Sequence, residues 1–107
     1  PHCVDGYSAT VAAAGGGSQA AFEATAEGVL HLAGNVSEWV EDCYETAGYE
    51  DAPSDGTANT WDGCSHRVTR GGNYDSLGRD IRGAERLPQV PTYNGKGVGF
   101  RCAWSPQ

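Results

Sequence analysis

The first 66 residues contain no lysine or arginine, although they carry eleven carboxylates. The chain also has no methionine, and no apolar run of about eighteen residues that could form a membrane-spanning helix. The missing methionine, with Pro1 at the start, leads us to expect a mature or cut piece of a longer product, any signal peptide being already removed. No CxxC pair occurs, so structural zinc is not expected. No net basic face is available for phosphate neutralisation, which excludes nucleic acid as a partner. There is no Ser-His-Asp elbow and no phosphate-cradling loop, because Gly15-Gly16-Gly17 lacks a following lysine. His2, His31 and His66 have no ligand spacing among themselves and read as ordinary loop or surface histidines.

What is present fits one small domain. A chain of 107 residues with 16 glycines and three tryptophans suggests a loop-rich fold pinned by aromatics, with a limited core. All seven basic residues lie in 67–107, beside three acids. The preferred reading is that the acidic and basic segments face each other and pair internally. The sharper one is an acidic, metal-binding loop region beside an arginine-rich floor. Four cysteines, Cys3, Cys43, Cys64 and Cys102, suit two disulfides in an oxidising compartment. Spacing does not select among three connectivities. Cys43–Cys64, with Cys3–Cys102 as its complement, is the first choice because it closes the acidic loop between them.

Along the chain, Ala12 to Ser18 reads as a flexible low-complexity connection. Gly34-Asn35 reads as a tight turn after the apolar run Gly28–Leu32. From Ser37, the spacing of Trp39, Val40, Cys43 and Tyr44 predicts about two turns of amphipathic helix, capped by Asn35 or Ser37, with Trp39 as a buried anchor. Residues 45–66 form a long polar loop that needs a staple, a metal or a function. Arg67–Arg70 alternates into Gly71-Gly72 and predicts a short strand, 73–98 reads as mostly irregular, and 98–104 predicts a final strand closed by Trp104. Asp51 to Asp62 echoes an EF-hand loop, but Pro53 occupies a ligand position and no helices flank it, so a solvated acidic loop is preferred.

Three linked stretches occur in order: GNVSEWVEDCY (34–44), RVTRGGNY (67–74) and GFRCAW (99–104), with Arg82 and Arg86 between the last two. Together they resemble the C-terminal half of the formylglycine-generating-enzyme-like, or sulfatase-modifying-factor, domain. The resemblance covers about residues 27–104, and 1–26 match only loosely, giving a loosely matched segment 1–26 and a domain part 27–107. It implies an irregular α+β fold related to C-type lectins, with one short helix, short antiparallel strands and long loops. It also implies a structural calcium in the turn 33–38, held by main-chain carbonyls near Ala33, Gly34 and Val36 and by the Glu38 carboxylate. Members of this family that oxidise a sulfatase cysteine bind copper(I) through two cysteines shortly after the RGGS[WY] motif. Here 71–81 contain no cysteine, Ser76 stands where the first ligand is expected and Asn73 replaces the usual serine, so copper is not expected and the chain leans away from catalysis.

The expected function is therefore a non-catalytic, extracytoplasmic module (secreted, periplasmic or on the cell surface) with a binding or structural role in a larger assembly. Its partner would be another chain or the family's N-terminal half, with a peptide or carbohydrate as ligand. Trp61, Asn73, Tyr74 and Ser76 are the candidate binding surface. Two alternatives stand beside it: a fragment of an enzyme whose catalytic residues lie on that N-terminal half, and a variable ligand-binding protein with 73–96 as its variable patch. Glu41 and Asp42 are expected to meet the arginines of the second half.

Overall fold

The computed structural model describes residues 25–104. Cys3, His2, the 12–18 connection and all but the last residues of segment 1–26 lie outside them. Four short strands form one sheet: β1 (Ser37–Cys43), β2 (Arg67–Arg70), β3 (Leu87–Gln89) and β4 (Val98–Gly99). Their order across the sheet is β3-β2-β1-β4. Among the described residues one 3-10 helix, Gly78–Ile81, lies between β2 and β3, and the remainder of them is turn and loop. This is an irregular α+β architecture with little helix.

The segment from Ser37 is a strand, not the helix its spacing predicts. It pairs antiparallel with β2, with Glu38 opposite Arg70, Trp39 opposite Thr69 and Cys43 opposite Arg67. Between Trp39 and Cys43 the strand advances four residues while β2 advances two. That irregularity interrupts the two-residue alternation within the strand, and the apolar positions fall at a spacing that imitates a helix. Ser37 is buried within the strand and caps nothing.

The sheet is mixed. β4 runs parallel to β1, Ser37 opposite Val98 and Glu38 opposite Gly99, because the chain reaches that edge by a long return and not through a hairpin. The expected strand 98–104 pairs only at Val98–Gly99. Beyond it Arg101 reaches back to Glu38 of β1 and to the carbonyls of Leu30 and His31 through its side chain. β3 contains Pro88 opposite Val68, and it tolerates proline because it is an edge strand with one unpaired side.

The core sits on the β1–β2 seam and is small. Among the described residues Val68 and Cys43 are its fully buried side chains, with Thr69, Ser37 and His31 as buried polar neighbours. Trp39, expected as the buried anchor, is only half-buried. Trp104 does not close a strand and is exposed.

Candidate functional site

Two ends of β1 carry the groups of interest. At its start, Gly34 and Asn35 both adopt left-handed backbone, with φ of 82° and 63°. The turn is locked to two other stretches by main-chain bonds. Gly34 N–H donates to the Gly71 carbonyl at 2.6 Å, Tyr74 N–H to the Asn35 carbonyl at 3.0 Å and Ser37 N–H to the Gly97 carbonyl at 2.7 Å. Gly71 has φ +90°, and a Cβ there would lie 2.7 Å from the Leu32 carbonyl oxygen, so only glycine permits this approach.

Arg101 closes the same end. Its guanidinium grips both oxygens of Glu38, Nε donating at 2.7 Å, and it also donates to the carbonyls of Leu30 and His31. Donating to the Glu38 carboxylate raises the Arg101 pKa above its ordinary value. This bears on calcium at Ala33, Gly34, Val36 and Glu38. The one carboxylate of that set already holds a fixed cation, and no group of three His, Cys, Asp or Glu side chains suited to a metal exists among the described residues. Calcium wants six to eight oxygens. The donor set does not fit that ion while Arg101 is in place.

Asn73 and Ser76 form a closed turn next to this end. Ser76 Oγ accepts the Asn73 N–H at 2.9 Å, the Ser76 N–H donates to the Asn73 carbonyl, and Asn73 Oδ1 accepts the Asp75 N–H. Tyr74 is exposed beside them. Trp61 lies at the other end of β1, where the Cys43 sulfur approaches the Trp61 carbonyl oxygen at 3.7 Å. Seven residues of strand separate the two groups, about 20 Å at the usual rise. The structure therefore does not gather Trp61, Asn73, Tyr74 and Ser76 into one surface.

At the far end a disulfide joins Cys43 to Cys64. Cys102 is an exposed free thiol, and Cys3, its expected partner, lies outside the described residues. The chain just before Cys64 is fastened back onto β1. Cys43 N–H donates to the Asn59 carbonyl at 2.9 Å, and Asn59 N–H donates to Asp42 Oδ1 at 2.8 Å. This forms an open groove of about 580 Å³ lined by Val40, Glu41, Thr60, Trp61, Asp62 and Arg67. Val40, Glu41 and Arg67 were not legible as site residues, because only the register of β1 on β2 brings them under the tryptophan.

The arginines do not meet the acids of the first half as expected. Arg67 donates to the Glu41 main-chain carbonyl at 2.6 Å, Arg70 to the Gly83 carbonyl and Arg82 to Glu85. Arg86 stacks on Tyr49 at 4.1 Å and reaches Tyr44 at 5.5 Å. Among the described residues only Arg101–Glu38 pairs the two segments. Asp42 accepts a main-chain N–H, and the Glu41 carboxylate has no ion pair among the described residues. In the Asp51–Asp62 stretch Asp55 caps its own turn, accepting from Thr57 N–H at 3.0 Å and Thr57 Oγ1–H at 2.6 Å.

Three short motifs interlocked around one end of a small mixed sheet, with long loops beyond, define a class of irregular single-sheet domain. The sulfatase-modifying factor enzyme 1-like domain matches residues 8–106, and the chain belongs to that family. It is similar to the serine/threonine-protein kinase pkn1 of Chlamydia caviae, 37% identical over 83 residues, which cover 77% of this chain and 13% of that protein. The Pkn1 kinase of Chlamydia trachomatis is 38% identical over 82 residues, 71% of this chain and 12% of that protein. That of Chlamydia pneumoniae is 37% identical over 81 residues, with the same shares. The chain thus spans 12–13% of the length of these relatives. No solved structure gives a significant match.

Proposed function

We propose that this chain is a non-catalytic binding or structural module that works within a larger extracytoplasmic assembly. The observation that carries the reading is the extended segment after β4. Phe100, Cys102 and Trp104 alternate along it, all exposed, with the two aromatics 76% and 84% accessible. Two such rings in water, where the fully buried side chains among the described residues are Val68 and Cys43, suit a surface that another polypeptide covers. The Cys43–Cys64 bond favours an oxidising compartment. Ser76, at the place of the first copper ligand of the family's oxidases, offers a hydroxyl already engaged in its own turn, and a hydroxyl is a poor copper(I) ligand. A structural calcium belongs to this proposal only for a state in which Arg101 has left Glu38.

The 12–13% coverage favours a second reading of the surroundings. Here the chain is a segment of a longer protein whose catalytic residues lie elsewhere, as in relatives named for kinase activity. Under either reading this segment binds and does not turn over substrate. The test compares the chain with a Phe100→Ser/Trp104→Ser variant by sedimentation and by binding of an apolar dye. The double variant is expected to keep its melting temperature while losing most dye binding and any self-association. A parent chain that is monomeric and binds no dye would sink the covered-surface reading. Oxidation of a thiol peptide in the presence of copper(I) and oxygen would sink the non-catalytic one.

A further inference from the structure

We propose that the groove beside Trp61 is a docking site for a basic peptide segment, with one lysine or arginine side chain laid across the indole between Glu41 and Asp62. This rests on the reading of the chain as a binding module and names the class of partner. Three observations converge. The groove, at about 580 Å³, has the volume of a ligand site. Trp61 is 41% accessible although its main chain is fastened at both sides, by the Asn59–Asp42 bond and by the Cys43–Cys64 disulfide. An indole held open in this way is the best of the aromatic faces for a cation.

The third observation is charge. Residues 41–62 carry seven carboxylates and no basic residue. None of the seven is in an ion pair among the described residues. The basic half does not neutralise them, because its arginines bond main-chain carbonyls, tyrosine rings and the acids Asp80, Glu85 and Glu38, all outside 41–62. Within the groove the balance is two carboxylates, Glu41 and Asp62, against one guanidinium. That guanidinium, Arg67, is drawn to the Glu41 carbonyl at 2.6 Å. A cation entering over Trp61 meets an aromatic face and a net negative rim, on a chain of net charge −7. A neutral sugar would use the ring but would leave the carboxylate excess without a role.

The probe is a short fluorescein-labelled lysine–glycine repeat peptide, titrated with the full chain by anisotropy at low and at physiological ionic strength. Binding is expected, and it should weaken with salt. Trp61→Ala should weaken it about two- to fivefold, and Glu41→Gln/Asp62→Asn about five- to tenfold. Glu50→Gln/Asp51→Asn, which removes the same charge outside the groove, should change it less than about twofold. Trp61→Phe, which keeps a ring, should retain most binding and serves if the alanine variant misfolds. Equal losses in the two double variants would reduce the effect to bulk charge and overturn the proposal. So would an unaltered Trp61→Ala, or a Trp61-dependent affinity for a neutral oligosaccharide with none for the peptide. Failure here with the Phe100–Trp104 association intact removes the groove and leaves the module.

Discussion

The two ends of β1 use the same kinds of residue in opposite ways. At the start, acid and base are consumed internally. Glu38 and Arg101 satisfy each other, Arg101 also binds two carbonyls, and the turns at Gly34 and Gly71 bond to one another. At the finish, the acids are left facing water, the fastening is a disulfide and the tryptophan stays open. Gly34, Gly71 and Arg101, one from each of the three linked stretches, meet at the first end. A strand seven residues long is thus scaffold at one end and candidate site at the other, and its irregular pairing between Trp39 and Cys43 separates the two.

Breaking the fastening at each end should therefore have different consequences. The largest effect is expected from Cys43→Ser/Cys64→Ser. Opening a loop with a sequence separation of 21 should cost about 3 kcal/mol, read from denaturant unfolding. It should also raise quencher access to Trp61 while leaving the Glu38–Arg101 end folded. Equal disruption at both ends, seen by amide hydrogen exchange, would show that the strand is one cooperative unit without two roles.

The next effect belongs to the other end. Arg101→Ala leaves the Glu38 carboxylate and two carbonyls without their donor, and about 2 kcal/mol of lost stability is expected. Arg101→Lys should recover little, since an ammonium cannot reproduce the two-pronged grip. Calcium sharpens the test. It should raise the melting temperature of Arg101→Ala but not of the parent chain, because only the variant frees Glu38. A parent chain that melts higher in calcium and lower after chelation would show that the ion displaces Arg101 in solution.

What could be read in advance follows from where local chemistry decides the structure. Arg67–Arg70 was legible as a strand because a β-branched pair runs straight into two glycines, and it is the central strand whose Val68 and Thr69 are buried. The turn at Gly34-Asn35 was legible for the same reason. β1 was not, since its irregular register erases the alternation that identifies strands. β3 was hidden by Pro88, which argues against a strand unless one knows that the strand lies at an edge. The groove was half legible: Trp61 stood out by its acidic surroundings, while Val40, Glu41 and Arg67 depend on cross-strand register that no local pattern carries. The charges pair differently from the expectation because a guanidinium has five donors, which main-chain carbonyls can satisfy, and in a loop-rich fold bare carbonyls are plentiful.

The smallest expected effect concerns pH, and it separates the two ends once more. Asp55 is fully exposed in the acidic loop. Its pKa is lowered first by the Thr57 hydroxyl and then by the Thr57 N–H, both of which favour the ionised carboxylate. A folded-state value below the unfolded one means that the contribution is present above the ordinary carboxylate range, about pH 3.9. It is lost as the pH falls through the folded value. The Thr57 amide resonance should therefore move with an apparent midpoint below that of a free aspartate, and Asp55→Asn should abolish the titration. Because the turn is exposed, the melting temperature should hardly respond to this substitution. The Arg101–Glu38 end should give no matching signal from its cation, since Glu38 raises a guanidinium pKa that already lies far above the acid range. A Thr57 midpoint at or above the free value would mean that the loop turn does not persist in solution. The open end of β1 would then be looser than its disulfide implies, and the groove beside Trp61 less preorganised for a ligand.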